Sequence, residues 1–161
     1  MITIKETTRN DLPNVQKLWA DGDVMKFVGF PEGLHETDEA MSRWLDRIEA
    51  ARPATNHFSV YDDDVYCGEA FYQIDVKRGS SAALDIKLFR FARGRGIAAT
   101  ALSYAIDEAF KNGAERVWVD PNPENMKALA LYERLGFQRK PMPEYLTGGE
   151  EIASIYMELV R

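Results

Sequence analysis

Only one cysteine, Cys67, occurs in the 161 residues, so no disulfide can form within the chain, which suits a reducing cytoplasm. Two histidines, His35 and His57, are too few for a metal centre, and no Asp/Glu/His spacing supports one. No run of 18 or more apolar residues exists, so nothing is long enough to span a membrane. The first six residues alternate like a strand and lack the apolar stretch of a signal peptide. A basic excess is missing too. Lys and Arg number 20 against 26 Asp and Glu, a net charge of −6, which argues against a nucleic-acid partner and fits a cationic substrate. Repeats, low-complexity tracts and linkers are absent, so residues 1–161 read as one domain with a sizeable core.

What is present is a regular succession of elements. Residues 2–8 alternate as a strand. Asn10 or Asp11 caps a helix that tolerates Pro13 in its first turn and runs to about Trp19, and 24–28 form a second helical piece. Residues 29–33 are a loop. Thr37 caps a helix over 38–51 that places Met41, Trp44, Leu45 and Ile48 on one core-facing side, and Pro53 closes it. Residues 57–61 and 65–76 read as a hairpin turning at Asp62-Asp63-Asp64, followed by a strand over 83–91. A helix over 96–111 stops at Asn112-Gly113, and 116–120 form a short apolar strand. Pro123 opens a helix to Leu135 that ends at Gly136. Phe137 starts a strand, with 152–160 as its antiparallel partner. This order predicts an α/β domain with a sheet of mixed direction.

Arg93-Gly94-Arg95-Gly96-Ile97-Ala98 stands between a strand and a long helix. Two glycines free the backbone to approach a ligand. The helix that follows aims unpaired N–H groups and a positive dipole end at the turn, and two arginines add charge. These features suit a diphosphate-like anion. A P-loop is excluded because the Lys-Ser/Thr pair is absent. Gly94-x-Gly96-x-x-Ala99, with Asp120 ending the next strand, also matches a dinucleotide fingerprint. Against it, residues 84–91 alternate with charges where a central parallel strand should be nearly all apolar, and too little chain follows.

A third reading rests on two motifs. Arg93-x-x-Gly96-x-Ala98 matches a Q/R-x-x-G-x-G/A signature. Asn125-Met126-Lys127-Ala128-Leu129-Ala130-Leu131-Tyr132-Glu133-Arg134-Leu135-Gly136-Phe137 matches N-x-x-A-x-x-x-Y-x-x-x-G-F. Both, in this order and one βαβ unit apart, resemble the GNAT superfamily of N-acetyltransferases, firmly over residues 84–137. The resemblance implies a single α/β domain. Its central mixed, mostly antiparallel sheet would be flanked by helices and splayed between two central strands. It implies acetyl-CoA as co-substrate, with no metal. The pyrophosphate would meet the backbone of Arg93, Gly94, Arg95, Gly96, Ile97 and Ala98, the pantetheine the backbone of Ile86 and Leu88, and Asn125 would also contact the cofactor. The slot for the thioester is expected between this strand and its neighbour at 67–74.

Acetyl transfer to an amine needs a protonated leaving sulfur and a neutral nitrogen. Tyr132, a phenol with pKa about 10, can donate but cannot act as a base near neutrality. It stands seven residues after Asn125, on the same helical face. A lysine-like ammonium is neutral about one time in 10³ at pH 7, so a carboxylate must recruit it and take its proton. Asp85 and Glu69 are the candidates, and the plain alternative for each is a solvated strand carboxylate. Cys67 reads as a small core residue and Asp62-Asp63-Asp64 as a solvated turn.

Two subgroups are similar. The run Val119-Asp120-Pro121-Asn122-Pro123-Glu124-Asn125 resembles aminoglycoside 6′-N-acetyltransferases. Trp19, the stretch 24–30, Thr37 and Trp44-Leu45 resemble the N-terminal-amine acetyltransferases of ribosomal proteins. The loop 29–36, with Glu32 and Glu36, is expected to border the acceptor site, and Glu150-Glu151 are compatible with a cationic acceptor. The acceptor is therefore a small-molecule or peptide amine. A homodimer is left open, and the rival is a catalytically silent CoA-binding module.

Overall fold

The computed structural model describes residues 1–147 and 154–161, within which the alternating stretches assemble into one seven-stranded sheet. The strands are β1 (Ile2–Glu6), β2 (Thr55–Asp62), β3 (Val65–Asp75), β4 (Ser81–Leu88), β5 (Arg116–Val119), β6 (Gln138–Arg139) and β7 (Met157–Val160). Their order across the sheet is β1-β2-β3-β4-β5-β7-β6. Neighbours run antiparallel everywhere except β4 and β5, whose parallel pairing requires a crossover, supplied by helix α4 (Ile97–Lys111). The mixed, mostly antiparallel sheet expected from the sequence is the one observed. A central dinucleotide-type parallel sheet is not.

Most helix starts follow their sequence signals. Pro13 sits in the first turn of α1 (Leu12–Trp19), and Asp21 caps α2 (Gly22–Met25) by accepting the Asp23 N–H at 2.9 Å. Thr37 Oγ1 accepts the Ala40 N–H at 3.1 Å and so starts α3 (Asp38–Ala51). Helix α5 (Met126–Arg134) begins later than Pro123 suggests. Asn122 Oδ1 accepts the Glu124 N–H at 2.9 Å and holds a turn there, and Asn125 takes the cap, accepting from the Ala128 N–H at 3.3 Å. A short α6 (Glu144–Thr147) follows. Residues 152 and 153 of the expected last strand lie outside the described residues. The described part pairs with both β5 and β6.

Adjacent strand residues face opposite sides. The Trp44 ring of α3 lies 4.7 Å from His57, and the Tyr104 ring of α4 lies 5.2 Å from its neighbour Phe58, so α3 and α4 cover opposite faces. Under α4 the larger core gathers Phe58, Tyr72, Leu84, Leu102 and Val117, and a smaller one joins Val15, Leu18 and Met41. Met41, Leu45, Ile48 and Cys67 are buried as expected.

The splay falls on the other side of β4 from the one expected. β3 pairs with β4 throughout, from Gly68↔Leu88 to Asp75↔Ser81, so no slot opens at 67–74. β5 pairs only at Ser81↔Arg116, Ala82↔Val117 and Ala83↔Trp118, and the two strands then part. The short turn joining β3 to β4 lets that antiparallel ladder close along its length. The β4–β5 connection runs through a whole helix, and Pro121, which has no N–H to donate, stands two residues beyond the end of β5.

Candidate active site

Beyond Ala83 the β5-facing edge of β4 has no strand partner. Phe89 donates its N–H to Cys67 O on the β3 side at 3.0 Å, so by alternation the backbone groups of Leu88 and Ile86 point to the open edge. The Ile86 N–H bonds only the Asp85 carboxylate, at 3.0 Å. The Leu88 carbonyl is occupied, accepting from Arg93 Nε at 3.2 Å and Nη2 at 3.0 Å.

The glycine loop closes the wide end of this fork. Gly94 and Gly96 have φ of +75° and +77°, a region that side chains strain to occupy, and a Cβ on either would meet nothing within 4 Å. Gly96 caps α4 without a side chain, and the first amide to bond back is Thr100 N–H to Gly96 O at 3.2 Å. The first-turn donors at Ile97 and Ala98 therefore lie at the positive end of a 15-residue helix, beside open space. Both arginines have carboxylate partners. Arg93 Nη1 donates to Asp23 Oδ2 at 3.0 Å, and Arg95 pairs with Asp62.

At the throat of the fork stands Tyr132, 6% exposed, its ring 5.6 Å from Phe137. Among the described residues its hydroxyl has no hydrogen-bond partner. Desolvation raises the phenol pKa well above its usual value, and the charges of Asp85 and Asp120 raise it further. Asp120 is exposed as a residue. Desolvation of its carboxyl against the fork, then the charge of Asp85, raises its pKa. Sequence reading missed Asp120 as a site residue, because its position opposite β4 depends on a parallel register that spacing does not reveal. Asn125, at the start of α5, spends its Oδ1 on the cap and keeps its amide NH₂ free of it.

Behind Asp85 lies a buried polar ladder. Asp85 pairs with Lys87, whose Nζ is 3.8 Å from Glu69 Oε2. Glu69, 3% exposed, accepts the Trp19 indole N–H at 2.5 Å. His57 Nε2 lies 3.2 Å from Glu69 Oε2 but off the line of a hydrogen bond, and that nitrogen has no aligned partner among the described residues. His57 Nδ1 is 2.7 Å from Thr7 Oγ1. Burial by itself would raise the Glu69 pKa. The charges of His57 and Lys87, with the bond from Trp19, outweigh it and hold the carboxyl down to about 2. In return the two carboxylates outweigh desolvation and raise Lys87.

The loop 29–36 folds back on α1, with Leu34 N–H donating to Trp19 O at 2.7 Å. Gly33 is obligatory there, since a Cβ would fall 2.1 Å from the Ala20 carbonyl oxygen. Glu36, with Trp19, Met41, Arg43, Trp44 and Arg47, lines a cavity of about 210 Å³, whereas Glu32 is exposed. Glu150 and Glu151 lie outside the described residues.

Residues 2–138 match the family model described as an acetyltransferase (GNAT) domain. The chain is 30% identical over 120 residues to N-alpha-acetyltransferase 30 of Schizosaccharomyces pombe, covering 72% of this chain and 80% of that protein. Its fold is similar to spermidine N-acetyltransferase from Vibrio cholerae in complex with CoA and spermine. The TM-score is 0.81 at 21% identity, with 99% of this chain and 95% of that one covered. Ribosomal-protein-alanine N-acetyltransferase from Brucella melitensis superposes with a TM-score of 0.79 at 20% identity, covering 99% of both chains. These matches join the two sequence signatures to the forked sheet and the glycine-capped helix: the chain belongs to the GNAT acetyltransferase family.

Proposed function

We propose that residues 1–161 form one acetyltransferase domain that moves an acetyl group from acetyl-CoA to a primary amine. The acceptor is a small-molecule or peptide amine, and it attacks directly within a ternary complex. One observation carries this reading above the others. The unpaired edge of β4 leads toward the glycine-capped start of α4, and Asp85 on the same strand acts on the Tyr132 hydroxyl, so anion cradle and phenol belong to one fork. The fit to the cofactor rests on the same features. Space stands where Cβ atoms at Gly94 and Gly96 would be, and the donors at Ile97 and Ala98 are free to hold a diphosphate. Ile86, Leu88 and the Asn125 amide offer groups to the pantetheine. Arg95, half exposed, can lend charge, while Arg93 is committed to the Leu88 carbonyl and Asp23.

Bound acetyl-CoA supplies the acetyl group as a thioester. Tyr132, kept protonated by its raised pKa, offers its O–H to the leaving sulfur. A thiol is a stronger acid than this phenol, so full transfer from the phenol is uphill. Its contribution is a hydrogen bond that strengthens as charge builds on sulfur. Asp85, ion-paired with Lys87, acts on the Tyr132 hydroxyl and adds to the negative charge of the fork, which favours an acceptor that arrives as an ammonium. Glu69 is sealed and strongly ionised, which suits it to fixing Lys87 and the β3–β4 face and makes it a poor proton acceptor. Trp19 and Glu36 border the acceptor side. The single buried thiol fits a cytoplasmic protein.

Two measurements test this. Acetyl-CoA at 100 times its Kd should add about 2.7 kcal/mol of stability, a rise of roughly 5–10 °C in melting temperature for a chain of this size. Free thiol should then appear only when an amine from a panel of spermidine, aminoglycosides and short peptides is added. No thermal shift at millimolar acetyl-CoA overturns the reading. A shift without turnover on any amine establishes the silent CoA-binding module instead.

A further inference from the structure

The last paired residues of the fork are Ala83 on β4 and Trp118 on β5. Two residues further along each chain stand Asp85 on β4 and Asp120, the first residue past β5, so the two aspartates flank the opening where the strands part. The charge of Asp85 acts on Asp120, and both act on the Tyr132 hydroxyl, so the three groups share one throat.

The two are not equivalent. Lys87, two residues beyond Asp85 on the same face of β4, is ion-paired with it and is anchored from behind by Glu69. Asp120 has no cation within 4 Å among the described residues, and it is exposed, so a ligand can reach it. Facing like charges favour a shared cation or proton. With Asp85 matched by Lys87, Asp120 is the side that lacks one.

We propose that Asp120 is the catalytic carboxylate that binds the acceptor's ammonium and takes its proton, with Asp85 and Lys87 acting as its fixed counterpart across the fork. The proposal rests on the acetyltransferase reading above and specifies the acceptor as an amine that arrives protonated. The atoms balance as follows. An ammonium N–H bond breaks and its proton passes to an Asp120 carboxylate oxygen. The freed nitrogen pair forms the N–C bond, and the C–S bond breaks with its pair on sulfur, toward which the Tyr132 O–H points. The second nitrogen proton ends on that sulfur as a thiol, and Asp120 returns its proton to solvent. The raised pKa of Asp120 narrows the gap to the ammonium it must deprotonate. The titratable group that acts on it is Asp85 on β4, and Asp120 in turn acts on Tyr132 of α5.

The test compares wild type with Asp120→Asn, Asp120→Glu and Asp85→Asn, using acetyl-CoA and whichever panel amine wild type turns over fastest. Asp120→Asn should bind CoA within twofold of wild type. Its kcat/KM should fall by about 10²-fold at pH 7, with the deficit shrinking as pH rises toward the amine's own pKa, and Asp120→Glu should recover part of the loss. A deficit under twofold at pH 7, or one constant from about pH 6 to 10, overturns the proposal, because a base is dispensable only where free amine is abundant. Carboxyl-carbon NMR reads the same claim without turnover. The Asp120 carboxyl should titrate above the ordinary aspartate range and move down in Asp85→Asn, and an unshifted carboxyl overturns the pairing. A wild type that binds acetyl-CoA but turns over no amine defeats the acetyltransferase reading, and with it the catalytic assignment, while the NMR titration still decides whether the facing pair exists.

Discussion

The Arg93 guanidinium joins two segments 70 residues apart. Nη1 donates to Asp23 Oδ2 at 3.0 Å, while Nε and Nη2 donate to the Leu88 carbonyl. Arg93 therefore ties the end of β4 to α2, the element that leads toward the loop 29–36. Lysine cannot make this fork of contacts. Arg93→Lys should lower stability by about 1.5–3 kcal/mol, the worth of charged hydrogen bonds, and weaken CoA binding several-fold by calorimetry. Asp23→Asn should reproduce part of both effects, and the double variant should be less than additive. Full additivity would mean that the two residues act separately.

Tyr132→Phe removes a hydroxyl that has no hydrogen-bond partner among the described residues and leaves the ring against Phe137. Stability should therefore hold, or rise slightly, because no partner is orphaned. Turnover should fall about 10²-fold, with CoA affinity within twofold. Collapse of affinity with turnover per bound cofactor intact would make Tyr132 a packing residue.

How far the sequence carried depended on the range of the forces involved. Helix α3 was legible to its end residues because Thr37, the apolar face and Pro53 act within a few positions. The glycine loop and the Asn125–Phe137 segment were legible for the same reason. Three features were not, two of them because they depend on distant chain. The start of α5 turned on a competition between Pro123 and the Asn122 turn, two local signals of similar strength. The side of β4 that splays depends on which connection lets a ladder close. The partners of Glu69 (Trp19, His57 and Lys87) lie on three other elements, so a strand carboxylate that reads as a candidate base, or else as solvated, is in fact sealed.

That sealed carboxylate gives a pH dependence with a definite sign. Burial raises the Glu69 pKa, but the charges around it win and lower it from 4.5 to about 2. A lowered folded-state pKa contributes stability that is fully present above about 4.5 and is lost as pH falls toward 2. Lys87, raised, contributes stability below its ordinary value of 10.5 and loses it only as pH climbs beyond. Glu69→Gln should cost about 1–3 kcal/mol at pH 7, since the carboxylate among His57, Lys87 and Trp19 is lost while Asp85 still pairs with Lys87, and the difference from wild type should narrow below pH 4. Urea titrations of both proteins across pH read this directly. A gap that stays constant down to pH 2.5 would show that Glu69 is not held ionised by its neighbours.

Gly96→Ala separates backbone strain from ligand contact. At φ +77° a side chain costs about 1–2 kcal/mol, while the added Cβ meets no protein atom within 4 Å. The free protein should thus lose only a few degrees of melting temperature, about 2–4 °C per kcal/mol. The methyl group would instead stand where the diphosphate approaches the α4 amides, so CoA affinity should fall by more than about tenfold, beyond what a 1.4 kcal/mol strain term accounts for. Gly79→Ala serves as the control. Its φ of +68° and open surroundings impose the same strain away from the fork, and its CoA affinity should match wild type. Equal losses of affinity in both variants would mean that the loop binds no anion and that strain alone is being measured.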